Sequence, residues 1–225
     1  MRQLLIFFIA VISIACSCTA LKDKDSGQSN VSDSVYIKKG YNKYESKHNF
    51  SFYYSNIWEQ LDKTFFQNAI KASFKELEPT TDYEAGFTLS NDKHEYVFPR
   101  FHLETSLTVP PSMMELKKMF KDYDLVKVFE DEKKTSWNDQ MSEQVKMLSN
   151  VGIRIDEKKH IAFATTTLKV DGQGDLYCLS VLFLGKSSIA SMKFFFPLHE
   201  KDKYLLAATE TIDSFHYDKG YEFKD

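Results

Sequence analysis

At 225 residues, 43% hydrophobic and 27% charged, the chain is long enough for one globular domain with an N-terminal extension. Its formal charge is −3, and its lysines alternate with acids, as in Lys117-Lys118 ahead of Asp122 and Lys133-Lys134 behind Glu130-Asp131-Glu132. No clustered basic face is left to hold nucleic acid. Cys178 is the only cysteine outside the leader pair Cys16 and Cys18, which excludes an internal disulfide framework, a CxxC redox motif and a zinc ribbon.

Met1-Arg2-Gln3 supplies one positive charge, and Leu4 to Ala15 is apolar apart from Ser13. A membrane-crossing helix needs about 20 apolar residues, so this run reads as a signal-peptide core. Ordinary cleavage has a small-x-small stretch available in Cys18-Thr19-Ala20. Ser13-Ile14-Ala15-Cys16, however, resembles a bacterial lipoprotein signal, in which a small residue precedes the cysteine that takes the lipid. Ala15-Cys16-Ser17-Cys18 resembles it as well, so Cys18 is the second choice. The resemblance implies a signal peptide over residues 1–15 and a chain held in the bacterial cell envelope by lipid on Cys16, on a periplasmic or outer-surface face. More than one acyl chain is what stable attachment requires.

Residues 16–47 are expected to be a flexible linker. The centre, Lys22-Asp23-Lys24-Asp25-Ser26-Gly27-Gln28-Ser29-Asn30, has too little apolar surface to offset its ordering entropy. Asp33-Ser34-Val35 matches a short O-glycosylation pattern familiar in Bacteroidetes. Asn49-Phe50-Ser51 is a sequon that a bacterial leader makes incidental.

A single domain is expected over residues 48–225. Phe50-Ser51-Phe52-Tyr53-Tyr54 alternates as a half-buried strand does. Asp62 is placed to cap a helix bearing Phe66, Ile70, Phe74 and Leu77 on one face, with Pro79 ending it. Gly86 to Leu89 reads as a strand. Next, Phe101, Leu103, Leu107 and Val109 face one way while Arg100, His102, Glu104 and Thr108 face the other, which predicts a sheet with one covered face and one polar, solvated face. Ser112-Met113-Met114-Glu115 is a capping box opening a helix to about Asp122, with Met113, Leu116, Phe120 and Tyr123 as its stripe. A second start at Ser136 predicts a helix through Trp137, Met141, Val145 and Leu148, stopped by Gly152.

Strands are expected over 153–170, 176–184 and 189–196, joined at Asp171-Gly172-Gln173-Gly174 and Gly185-Lys186-Ser187-Ser188 as hairpins. After Pro197, helical spacing returns through Tyr204, Ala208, Ile212 and Phe215. The order predicts an α+β fold, an antiparallel sheet covered by helices.

Two stretches, "FSFYYSNIWEQ" and "SSIASMKFFFPLHEKDKYLLAATETIDSF", are similar to the first strand and to the last strand, turn and C-terminal helix of the PsbP/Mog1-like fold. The resemblance spans about residues 48–217. Ser55-Asn56-Ile57 stands where that fold often has a proline ahead of the Trp, and Tyr123 to Val151 is longer and more helical than the fold leads one to expect. The resemblance implies a binding or accessory protein without chemistry of its own.

His102-Leu103-Glu104 puts an imidazole and a carboxylate on one strand face with Arg100 beside them. This is either an acid-base or ligand pair, or the polar side of a solvated strand, the commoner meaning. His199-Glu200 starts like HExxH, but no second His follows. His48, His94, His160 and His216 are not spaced as ligands, and GxSxG, GxGxxG and GxxxxGKS are absent. No metal and no cofactor is expected. Cys178, within Leu176 to Phe183, reads as a small hydrophobe. The expectation is therefore a monomeric, lipid-anchored envelope protein that binds an unidentified envelope protein or ligand. The alternatives are an envelope hydrolase whose site forms only in three dimensions, with His102 and Glu104 first to inspect, and an immunity or inhibitor lipoprotein.

Overall fold

The computed structural model describes residues 33–75, 80–89, 98–121 and 124–224. The signal peptide, Cys16, Cys18, Leu77, Pro79, His94, Asp122 and Tyr123 lie outside the described residues. In chain order the elements are α1 (Asp33–Lys38), β1 (Asn42–Ser46), β2 (Phe50–Tyr54), β3 (Trp58–Gln60), α2 (Lys63–Ser73), β4 (Thr81–Leu89) and β5 (Arg100–Ser106). There follow α3 (Met113–Lys121), α4 (Leu125–Thr135), α5 (Asp139–Gln144), β6 (Val145–Asp156), β7 (Ile161–Val170), β8 (Gly174–Leu184), β9 (Ile189–Pro197), α6 (Lys201–Asp213) and β10 (His216–Tyr217).

The fold is α+β, with an antiparallel sheet covered by helices. Seven strands run in the order β3-β4-β5-β9-β8-β7-β6, and a smaller sheet runs β1-β2-β10. Alternation sorts each strand between two cores. Phe101 and Leu103 of β5, Met192, Phe194 and Phe196 of β9, and Leu179 and Val181 of β8 face Phe50, Phe52 and Tyr54 of β2 and Tyr204 and Ala208 of α6. The opposite face meets the other helices, through Phe66 and Ile70 of α2, Met113 and Leu116 of α3, and Phe129 of α4. Gly86 sits where α2 crosses β4: a Cβ there would stand 2.5 Å from the ring of Phe66.

The expected hairpins join β7 to β8 and β8 to β9, each pair antiparallel along its length. Gly172 and Gly174 take φ of +79° and +84°, which glycine adopts without the Cβ penalty. The Ser112 capping box forms as read, with the Glu115 amide donating to the Ser112 hydroxyl and the Glu115 carboxylate accepting from the Ser112 amide.

Four expectations are corrected. The linker was expected to run to residue 47, but α1 and β1 lie within it. All of β1 pairs with β2, from Asn42 opposite Tyr54 to Ser46 opposite Phe50. Tyr36 stacks on Tyr53 at 5.0 Å, and Tyr44 packs on Phe52 and Phe87. Aromatics three to eight residues apart (Tyr36, Tyr41 and Tyr44) escape a count of aliphatics, and they are what order the segment. Secondly, no helix runs from Ser136 to Gly152. Asn138 caps α5, which gives way at Val145 to β6, because Val145 to Asp156 pairs with Val170 to Ile161. Gly152, at φ +88°, lies in an irregularity of β6.

Thirdly, the expected polar, solvated face of β5 is covered: His102 and Glu104 lie beneath the helical layer. Fourthly, Leu107 and Val109 do not share the core face of Phe101. The strand stops at Ser106, leaving them 55% and 74% exposed.

Candidate functional site

Strand register assembles the cluster that holds the residues singled out from the sequence. On β5, Arg100, His102 and Glu104 alternate with Phe101 and Leu103 and so point to the helical side. Opposite them on β9 stand Lys193, paired with His102, and Ser191, paired with Glu104; β8 continues the first row with Ser180. Glu104 bridges the group. Its Oε2 accepts from Lys193 Nζ at 2.5 Å, and its Oε1 lies 3.2 Å from His102 Nε2. His102, Glu104 and Lys193 are 7%, 4% and 3% exposed. The imidazole lies against the rings of Phe195 and Phe66, at 5.3 and 6.1 Å.

Burial alone would raise the Glu104 carboxyl, but the Lys193 charge and the His102 contact outweigh it and hold the group down to about 2. Burial pushes His102 below the ordinary imidazole range, Lys193 and Arg100 add to that, and Glu104 opposes them. At neutral pH the centre is a carboxylate paired with an ammonium beside a neutral imidazole. A general base is most effective with its pKa near the working pH. A sealed carboxylate at about 2 is far from it, and the arrangement is that of a structural ion pair. Arg100 lies at the strand end, its guanidinium 4.1 Å from the ring centre of Phe98 and 5.5 Å from that of Phe195.

Lys193 was not singled out in the sequence. The signal is there: a lone lysine between Met192 and Phe194-Phe195-Phe196 must face the same way as Phe195, toward the helices. Glu84 was missed for the same reason. It is buried in β4 at a bulge between Tyr83 and Ala85, and accepts from the hydroxyls of Thr105, Ser46 (2.5 Å) and Tyr44 (3.3 Å). Beside it Asp82 takes Lys47 at 2.7 Å and His48 at 2.9 Å. Burial would raise the Asp82 carboxyl, but these two bonds hold it below its usual range.

A third arrangement lies on the small sheet. His216 of β10 pairs with Ser51 of β2, its Nε2 3.0 Å from the Ser51 hydroxyl and its Nδ1 3.1 Å from the carbonyl oxygen of Ser214. With Nδ1–H donated to that carbonyl, Nε2 accepts from Ser51, the relation of a base to a nucleophile. Ser51 is only 4% exposed.

His160 packs on Phe223 in the turn before β7, and His199 sits in the 3-10 turn Leu198–Glu200. Cys178 is 1% exposed, and burial drives its thiol well above the usual range, with Arg100 opposing only in part. Among the described residues no three His, Cys, Asp or Glu side chains gather as a metal site, and no helix is long and apolar enough to cross a membrane. A shallow cleft of about 200 Å³ lies between α2 and α5, lined by Ala72, Ser73, Asn138, Gln140, Met141 and Gln144.

No family model matches the chain, and no curated protein does. Among solved structures, the chain is similar to the solution structure of the cyanobacterial PsbP (CyanoP) from Synechocystis, with 13% identity and a TM-score of 0.48, over 79% of this chain and 92% of that one. It is also similar to a crystal structure from Bacteroides thetaiotaomicron, with 14% identity and a TM-score of 0.35, over 79% of this chain and 48% of that one.

Proposed function

We propose that the chain is a lipid-anchored cell-envelope protein that works by binding, as an accessory to another envelope component, and not by chemistry of its own. The observation that carries this reading is the closure of the His102–Glu104–Lys193 cluster. The acid-base pair that the sequence offers is buried, neutralised by Lys193 and cut off from any substrate by α2. The anchor rests on Ser13-Ile14-Ala15-Cys16, whose lipid places the domain in the envelope as a monomer on a tether. The experiment is labelling of growing cells with radioactive palmitate. Label is expected in the wild type and in Cys18→Ala and absent from Cys16→Ala. Loss only in Cys18→Ala moves the attachment to Cys18, and label that neither change affects rules out lipidation at either cysteine.

A second reading has one observation behind it. The Ser51–His216 pair has the geometry of an activated nucleophile, so a hydrolase would act there and not at His102. A fluorophosphonate probe decides the matter. Stoichiometric labelling of the wild type that Ser51→Ala abolishes establishes the hydrolase; no labelling leaves the pair as a cross-strand hydrogen bond.

A further inference from the structure

The chain enters the domain through α1 and β1, and three carboxylates of the body hold that entry segment. Glu210 of α6 accepts from Lys39 Nζ and from the Tyr41 hydroxyl. Glu84 of β4 accepts from the hydroxyls of Tyr44 and Ser46, and Asp82 of β4 takes Lys47 and His48. Each carboxylate receives two donors from one run of ten residues, Lys39 to His48, in the order in which the run passes them.

Beyond these bonds and the β1–β2 ladder, few apolar contacts hold the segment. Of the described side chains of α1, Tyr36 is buried against Tyr53, while Val35 and Ile37 are 41% and 63% exposed. No side chain of β1 is fully buried; Tyr44 lies half-buried on Phe52 and Phe87. In β9, by contrast, every side chain from Ile189 to Phe196 is buried. A segment with few buried apolar contacts and exposed backbone hydrogen bonds opens locally, well below the cost of global unfolding. Ion pairs as open to water as Lys39–Glu210 and Lys47–Asp82 add little to that cost, and a helix of six residues does not persist once detached.

β2 stays in place without β1. Its Phe50, Phe52 and Tyr54 belong to the main core, its other edge pairs with β10, and the Tyr53 amide donates to the Ser214 hydroxyl. The turn after β1 is pinned as well: Asp82 holds Lys47 and His48, and the Asn49 carbonyl accepts from the Asp218 amide. A load on the chain ahead of Asp33 meets the Glu210 clasp first and the Asp82 clasp last.

We infer that α1 and β1 form a releasable strap, which leaves the body as one unit while the rest of the domain stays folded. With lipid on Cys16, an open strap lengthens the tether. Cys16 precedes Asp33 by 17 residues and Lys47 by 31, spans of at most roughly 60 and 110 Å. The closed strap keeps the domain near the membrane, and the open one lets it reach a partner farther out. The opening stands on the contacts above; the gain in reach rests on the anchored reading.

The test pulls the full chain, with Cys16→Ala and Cys18→Ala, in an optical trap between handles at Ser32→Cys and Ser187→Cys, so its outcome does not depend on lipid. Ser187 is exposed in the turn between β8 and β9. A reversible step that releases the 14 residues from Asp33 to Ser46, roughly 50 Å of contour, is expected at a force well below that of the large event in which the sheets unfold. Glu210→Gln removes the charge that faces Lys39, and is expected to speed the small step several-fold at a given force and to leave the large one unchanged. A single event in which strap and sheets come apart together overturns the inference. Lengthening without a step, or in two steps with α1 leaving before β1, overturns it as well. A small step that neither Glu210→Gln nor Tyr36→Ala alters belongs to another segment and overturns it equally. The step found in a chain whose native form carries no lipid on Cys16 supports the strap and overturns its part in reach.

Discussion

Glu104 contributes to stability through its pairing with Lys193, and the sign of its pH dependence follows from the direction of its shift. Its carboxyl lies at about 2 in the folded chain, below the ordinary carboxylate value, so its contribution is fully present above pH 4.5 and is lost as pH falls toward 2. The shift corresponds to about 3 kcal/mol. His102, depressed by burial, acts in the same direction at higher pH: the unfolded chain takes up a proton that the folded chain refuses, so stability begins to fall below about pH 6.5. Urea midpoints are therefore expected to decline in two stages on acidification, and His102→Gln should remove the first stage alone. Lys193→Met, which leaves Glu104 buried without its cation, is expected to cost about 3–5 kcal/mol, most of it recovered when Glu104→Met is added. A double variant no more stable than the single would show that the charges do not act as a pair. Cys178 has no such partner. In a chain with Cys16 and Cys18 replaced by alanine, its thiol should react with a thiol reagent only at the rate of unfolding.

The elements differ in how plainly the sequence announces them. β8 and β9 are long apolar runs divided by glycine turns, and the capping box at Ser112 and the cap at Asp62 are local, so these were legible, whereas the run read as one strand over 153–170 folds back at residues 157–160 into the end of β6 and β7. β6 was not. Its residues Val145 and Leu148 carry helical spacing, and only the ladder to β7, which is non-local, makes a strand of them. The site was legible by half. The His102 and Glu104 spacing is visible in β5, but their burial depends on helices that arrive from elsewhere in the chain, and Lys193 reaches them through a cross-strand pairing 89 residues away. β1 likewise depends on partners, and its worth can be measured. A chain starting at Asp33 is expected to melt with the full-length one, whereas a chain starting at His48 loses β1 with the Tyr44 contacts and should melt at least ~5 °C lower, at roughly 2–4 °C per kcal/mol. Equal melting temperatures would show β1 to be dispensable. The helical layer has its own probe in Gly86→Ala, whose added methyl meets Phe66 at 2.5 Å and should destabilise by about 1–3 kcal/mol.

At the scale of the whole molecule, the large sheet has both faces covered, and Glu104 and Lys193 pair with each other beneath the helical layer. That leaves the loops and exposed rims to meet other molecules, which is how an anchored binding module would act. Everything in that reading depends on what becomes of the N-terminus, because Ser13-Ile14-Ala15-Cys16 and Cys18-Thr19-Ala20 propose two different mature proteins from one leader. Intact-mass spectrometry of the chain recovered from native membranes separates them in one measurement. The account predicts a mature chain that begins at Cys16 and carries the mass of a diacylglyceryl group and an amide-linked acyl chain. A mature chain beginning at Leu21, without added lipid and recovered from the soluble fraction, would contradict it.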